Sequence, residues 1–306
     1  MIMSMKASFG TFDRAHRKGL AVAAVLGAAV FGPQAANAAP VAFENASDIG
    51  LFNQRQTGSN STTVTDPFVH STTAGTNGGG AAVFTSNTFN INNDTSAVYN
   101  AEAFDFSTLA STATVSIDFH TPATLDTATA TAAPVAGVGF SLSNANGFGG
   151  TTANAYVIGR LQRTAANTYT IQTQTDGSTT SSSATTASAA GTLAGLTANN
   201  WYRLTLDLTK TGTASTFTAS ASLYSLGALG TDTPTAVTDT TTGISGGTVA
   251  NAVLYSDSSV NAGFRAVAGT NNDAFDNFTT AVPEPASLAV IGLGGLGLLR
   301  RSRRRG

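Results

Sequence analysis

The sequence predicts an all-β fold, a two-sheet antiparallel β-sandwich, and three observations point to it. The long middle of the chain is rich in Thr, Ser, Ala, Gly and Asn and very poor in Lys and Glu. Long charged side chains make good helix surfaces, whereas Thr-rich alternation suits strand surfaces. No stretch of it keeps a 3.6-residue apolar period with caps. About ten strand-like runs alternate with turn-rich pieces at the spacing of a sandwich.

Taken in order, the expected strands are 82–91, 112–120, 135–142, 156–162, 169–175, 201–209, 216–224, 252–255, 263–267 and 275–281. The clearest is WYRLTLDLT at 201–209. Tyr202, Leu204, Leu206 and Leu208 share one face, and Trp201, Arg203, Thr205, Asp207 and Thr209 share the other, so one side is apolar and one polar. Between the strands lie Gly78-Gly79-Gly80, residues 144–150, Asp176-Gly177, Thr211-Gly212 and residues 243–247, all turn formers. Residues 54–76, 178–191 and 226–249 hold little apolar content and read as long surface loops.

The two ends read as addresses. Residues 1–38 have the form of a secretory signal peptide: a basic start, the apolar run 20–31, the breakers Gly32 and Pro33, then Ala36-Asn37-Ala38. That small-x-small pattern places a signal-peptidase site at Ala36 and Ala38, with Ala39 opening the mature chain. At the other end, residues 286–299 form a run of 14 residues without charge. As a helix it spans about 21 Å, short of a hydrocarbon core about 30 Å thick. Arg300, Arg301, Arg303, Arg304 and Arg305 follow at once. Such a block resists translocation and can snorkel, which extends the effective span. Gly292, Gly294, Gly295 and Gly297 permit close approach of another helix.

Nine of the 15 basic residues sit in these two ends, so residues 39–282 hold six basic against fifteen acidic residues, a net −9. A body this acidic repels phosphate backbones and argues against nucleic acid as a partner. The absence of Cys removes disulfides, thiolate metal sites and cysteine nucleophiles together, leaving stability to the core.

The tail VPEPASLAVIGLGGLGLLRRSRRRG resembles a PEP-CTERM sorting signal, the substrate mark of exosortase systems. Pro283, Glu284 and Pro285 match the tripeptide, and the Gly-rich apolar run and terminal arginines match the other two parts. The resemblance implies recognition by a membrane-embedded, cysteine-dependent exosortase and removal of the tail near the tripeptide. It also implies a Gram-negative-type envelope, often that of an exopolysaccharide producer. The expected organisation is therefore a signal peptide at 1–38, a sandwich at 39–282 and a sorting tail at 283–306 with a short C-terminal apolar helix. The protein is expected to pass the inner membrane transiently and then reach the cell surface or extracellular matrix.

The body resembles concanavalin-like, laminin-G-like jelly rolls in three places: NNWYRLTLDLT, the pair AYVIGRLQR and TYTIQTQT, and GTNNDAFDNFTTAVPEP, where a last strand runs into the sorting tripeptide. The resemblance implies that the last strand returns beside the first, putting 275–281 near 43–49.

Chemistry in the body is sparse. Glycan hydrolysis in this fold needs two carboxylates roughly 5–9.5 Å apart. The body's only glutamates are Glu44 and Glu102, and Asp105, three residues after Glu102, falls on the opposite face of any strand. His70 and His120 are candidates for a serine-histidine-acid site, but no Gly-x-Ser-x-Gly elbow accompanies them. His120 reads as an exposed rim histidine. The ligand-dense run 271–277 could hold Ca²⁺ or be an Asx-rich turn leading into a strand, and Asn92-Asn93-Asp94 is equally open. Trp201 is either a sugar-stacking platform or a packed aromatic. The sequence therefore assigns no catalytic residue, no metal ligand and no cofactor. Three functions stay open: a non-catalytic structural or adhesive surface protein, a calcium-assisted exopolysaccharide-binding module, and a glycan hydrolase. Signal peptidase and exosortase are the expected processing partners.

Overall fold

Alternating apolar residues close two antiparallel sheets over one core in the computed structural model, which describes residues 36–37, 40–57, 68–84, 94–109, 112–123, 125, 133–142, 148, 155–165, 168–176, 185–213, 215–237, 247–267 and 274–282. The first sheet runs in the order β13 (Thr235–Ala236), β12 (Thr216–Gly227), β11 (Trp201–Lys210), β6 (Thr112–His120), β16 (Ala274–Val282), β4 (Ala81–Phe84) and β3 (Phe68–Ser71). Two short strands complete it: β1 (Ala36–Asn37) pairs with β16, and β14 (Gly247–Ala250) with β12. The second sheet runs β10 (Thr185–Ala194), β9 (Thr168–Asp176), β8 (Tyr156–Ala165), β7 (Ala133–Ser141), β15 (Asn261–Val267), β5 (Asp94–Tyr99) and β2 (Phe52–Thr57). Every ladder is antiparallel.

The fold is the expected two-sheet jelly-roll sandwich. Leu204, Leu206 and Leu208 of β11 meet Val115, Ile117 and Phe119 of β6 on the inner face of the first sheet, all fully buried. Val138, Phe140, Val157, Leu161 and Phe264 face them from the second. Gly159 of β8 sets how closely the sheets approach: a Cβ there would lie 2.9 Å from Ala221 Cβ and 3.4 Å from Leu206 Cβ. Any side chain at 159 would push the layers apart, and overpacking of this kind costs about 1–3 kcal/mol.

The AYVIGRLQR and TYTIQTQT pair forms the adjacent ladder β8–β9, with Tyr156 opposite Asp176. The last strand does return beside the start of the body, through a bridge between Val41 and Phe278. Residues 46–49, though, are a short helix, α1 (Ala46–Ile49), rather than strand. Four further expectations are corrected. Residues 252–255 lie in a helix, α2 (Ala252–Ser256), whose N-cap Asn251 accepts the Leu254 N–H at 2.9 Å; that cap outweighs the β-preference of a short apolar run. The expected loop 54–76 contains most of β2 and all of β3, and the expected loop 178–191 contains most of β10. The expected loop 226–249 contributes β13 and the start of β14. These strands are edge strands or near-edge additions, where backbone pairing suffices and large apolar side chains are not required.

Candidate functional site

The polar face of β11 continues in rank across the first sheet. Trp201 lies opposite His120, and Arg203 opposite Asp118. On the far side of β6, Ala274 lies opposite His120 and Asp276 opposite Asp118, and Val83 pairs with Ala274. One rank is therefore Trp201, His120, Ala274 and Val83, and the next is Arg203, Asp118 and Asp276. Beyond them the face is hydroxylated and cross-linked: Ser116 to Thr279 at 2.5 Å, Thr114 donating to Asp207 at 2.5 Å, and Thr112 to Thr209 at 2.6 Å.

Two loops fold over the first rank. One joins β3 to β4 at residues 72–80, and the other is the turn after β12. They meet where the Asn77 N–H donates to the Leu229 carbonyl at 2.6 Å. Gly230 holds the crossing at φ +72°, and a Cβ there would lie 2.5 Å from Thr76 Cγ2 and 3.0 Å from Trp201. Only glycine tolerates both that backbone and that closeness. The loops leave a cleft of about 420 Å³ lined by residues that include Trp201, His120, Val83, Ala274, Ala74 and Leu229. Leu229 is 62 % exposed at its mouth, whereas Trp201 is only 3 % exposed. The His120 and Trp201 ring centroids are 5.1 Å apart.

Beneath the loops lies a charged network that the sequence did not reveal. Arg203 donates to both oxygens of Asp118, Nε to Oδ1 at 2.6 Å and Nη2 to Oδ2 at 2.8 Å. Asp118 and Asp276 are essentially unexposed. A β-bulge follows Asp276, and Asn277 takes φ +49° there. A bulge of this kind aims two consecutive side chains at one face. Asn277 Nδ2 accordingly donates to Asp118 Oδ2 at 3.1 Å and to Thr76 Oγ1 at 3.3 Å. Asp276 Oδ2 accepts from the Thr76 N–H at 2.9 Å and Thr76 Oγ1 at 2.8 Å, and its Oδ1 accepts the Asn277 N–H at 2.7 Å. Burial pushes the Asp276 carboxyl up to about 6, with Asp118 adding to the rise and the Thr76 and Asn277 donors opposing it. Burial also raises Asp118, against the pull of Arg203 and Asn277. The Asp118 hydrogen bond in turn holds the Arg203 guanidinium more firmly protonated.

The expected rim histidine is corrected: His120 is half-buried and lines the cleft. Trp201 packs rather than standing bare. Glu102 and Asp105 do not lie on a strand. Asp105 closes a local turn, accepting the Ser107 N–H at 2.9 Å and Oγ at 2.5 Å, and these bonds hold its carboxyl below the usual range. Glu44 accepts the Gly80 N–H at 3.1 Å. His70, on edge strand β3, is half-buried, and its Nε2 has no hydrogen-bond partner. Among the described residues no three His, Cys, Asp or Glu side chains gather as a metal site. Of the 271–277 run, residues 274–277 belong to β16. Asn271, Asn272, Asp273, Asn92 and Asn93 lie outside the described residues. So do Ala38, Ala39, Pro283, Glu284, Pro285, Arg300, Arg301, Arg303, Arg304 and Arg305; Ala36 lies in β1. Among the described residues no helix is long and apolar enough to cross a membrane, and the expected apolar helix at 286–299 lies outside them.

A search of curated proteins finds no match. Similar solved structures include a carbohydrate esterase from the Shiga toxin-encoding bacteriophage phi24B, 13 % identical, covering 77 % of this chain and 93 % of that one at a TM-score of 0.39. Basic winged bean lectin, solved with Tn-antigen, is 11 % identical, covering 72 % of this chain and 94 % of that one at 0.40. Peanut lectin, solved with a 9mer peptide, is 12 % identical, covering 76 % and 99 % at 0.36. Likeness at this level carries no inference about ligand or activity. The family comparison is specific: residues 281–305 match the PEP-CTERM protein-sorting motif. This chain carries a PEP-CTERM sorting signal on a jelly-roll body, which marks it for export, for an exosortase and for a surface or extracellular destination.

Proposed function

We propose that this protein is cut by signal peptidase between Ala38 and Ala39, held in the inner membrane by its tail, and processed by an exosortase at or near Pro283-Glu284-Pro285. The released sandwich, residues 39–282, then serves as a structural or adhesive module without catalysis. One observation carries the reading. Strand β16 ends at Val282, and the sorting motif begins at residue 281. The motif therefore takes hold of a strand that lies between β6 and β4 inside the sheet, with no linker between cargo and signal. Two features favour binding over turnover. Among the described residues that line the cleft there is no carboxylate. The acids of the adjoining rank, Asp118 and Asp276, are buried and committed to Arg203, Asn277 and Thr76.

The cleft supports a second reading, a neutral face of exopolysaccharide seated against His120 and the exposed Leu229 with Trp201 packed as its floor, since sugars present apolar faces to aromatic and aliphatic side chains. Calcium assistance would have to draw on groups other than Asp276, which already accepts three hydrogen bonds.

Intact-mass measurement on protein from the native host tests the first reading. The expected mature chain starts at Ala39 and lacks Arg300 to Arg305; surface-exposed protein with its C-terminus intact would sink it. A glycan array with and without EDTA tests the second. Retention lost on Trp201→Ala favours glycan binding, and retention on no glycan leaves the structural reading alone.

A further inference from the structure

The 72–80 loop is fastened to β16 at Thr76, through Asp276 and, more weakly, Asn277. Both the backbone N–H and the hydroxyl of Thr76 donate to Asp276 Oδ2, 200 residues away in sequence. Farther along, the Gly80 N–H reaches Glu44 and the Asn77 N–H reaches the Leu229 carbonyl. The same loop supplies Ala74, Gly75 and Gly78 to the cleft wall. Moving Thr76 away from Asp276 would loosen this wall of the cleft, leaving it tied at Asn77 and Gly80.

The anchor is poorly compensated. Asp276 and Asp118 are register partners on adjacent strands, and both are buried. Arg203 donates both of its hydrogen bonds to Asp118, and those that Asp276 accepts come from neutral dipoles: two donors from Thr76 and one from Asn277. The charged groups that act on it are Asp118 on β6 and Arg203 on β11; the other titratable groups of the neighbouring elements are His120 on β6, His70 on β3, Asp232 on the turn after β12, and Glu44, bonded to the far end of the loop. The 72–80 loop and β4 carry no charge.

We propose that Thr76 and Asp276 form an acid-tightened clasp, in which protonation of Asp276 favours the loop closed over the cleft and ionisation favours it open.

The sign follows from linkage. Opening the loop lets water reach Asp276, and a hydrated carboxylate ionises more readily than one buried beside another carboxylate. The closed state holds the proton more tightly, so acid favours the closed state. A protonated Asp276 keeps the closed geometry, since it can donate its proton to Thr76 Oγ1 while accepting the Thr76 N–H. With the closed state titrating at about 6 and an ordinary carboxyl at 3.8, the open-to-closed ratio rises by up to roughly 100-fold between pH 4 and pH 8. Control of a ligand by this clasp rests on the glycan-binding reading; the clasp itself does not.

The chain's single tryptophan is the probe, because Trp201 lies beneath this crossing. Acrylamide quenching of its fluorescence in the full chain is expected to increase from pH 5 to pH 8 with a midpoint near pH 6. The Thr76 amide, corrected for intrinsic exchange, should lose up to about 10-fold in protection over the same range. Asp276→Asn should flatten both curves, and His120→Gln should leave both in place. A flat wild-type curve, a transition that survives Asp276→Asn, or one that vanishes with His120→Gln overturns the clasp. Thr76→Val, made on the loop rather than on a strand of the sheet, guards against misfolding of the Asp276 variant. Losing a donor to the ionised carboxylate should move the midpoint to higher pH, and an unchanged midpoint counts against the proposal. A confirmed clasp with no glycan retained at pH 5 or pH 8 would remove the sugar reading and leave the clasp standing.

Discussion

Arg203→Met is expected to lower the stability of the sandwich by about 3–5 kcal/mol at pH 7.5, the usual cost of stripping one partner from a buried ion pair. Arg203 is about one-third exposed but Asp118 is not exposed at all. Removing the guanidinium strands Asp118 beside Asp276, two buried carboxylates with no cation bonded to them among the described residues. Folding would then require taking up a proton. Both groups already have folded-state values above the ordinary carboxylate range, so the folded state binds protons more tightly than the unfolded chain. Their contribution is present at low pH and lost as pH rises through the folded values, near 6 for Asp276. The variant raises Asp118 further, so its deficit should shrink markedly at pH 4.5. Urea unfolding at the two pH values measures this. A deficit below about 1 kcal/mol at pH 7.5, or one that ignores pH, would mean that water reaches the pair. The double change Asp118→Leu with Arg203→Met should cost far less than Arg203→Met alone, because no charge is left behind.

This network also marks where reading the sequence stops. The alternation in WYRLTLDLT fixes which face of β11 is buried, and it correctly separates Leu204, Leu206 and Leu208 from Trp201 and Arg203. It cannot say what lies opposite Arg203, because register between β11 and β6 spans 85 residues. Asp118 had a legible signal, an acid set between Ile117 and Phe119 on the polar side of a strand. Asp276 and Asn277 had a misleading one: their Asx-rich setting suggests a turn or a cation, while a bulge actually turns both onto the sheet face. Strand β10 was hidden for a different reason. Its sequence TTASAAGTLA offers little apolar contrast between alternate residues, and its place in the fold comes from backbone pairing with β9. Helix α2 turned on one side chain, the Asn251 cap. The sorting tail was legible because its signal is compositional and contiguous, needing no partner from elsewhere in the chain.

The other large effect is expected at that tail. Replacing Arg300, Arg301, Arg303, Arg304 and Arg305 together with Gln should abolish membrane retention and exosortase processing. The apolar run at 286–299 reaches about 21 Å as a helix, and four of its residues are glycine, which weakens both helix and apolarity. On length alone it is about 9 Å short of a hydrocarbon core. On the proposed reading the charge block behind it would stop it in the membrane, since each Arg near the bilayer centre costs about 2.5–3.5 kcal/mol on insertion scales. Without that block the segment should pass through, and protein with its whole tail should appear in the soluble envelope or the medium. Pro283→Ala with Glu284→Ala should fail differently: the arginines still arrest the chain, so unprocessed protein accumulates in the inner-membrane fraction. Fractionation followed by intact-mass measurement separates the two. If the Gln variant is still retained and cut like the wild type, the apolar helix alone suffices and the arginines are dispensable. If the tripeptide variant is cut normally, recognition lies in the helix and its arginines rather than in Pro283-Glu284-Pro285.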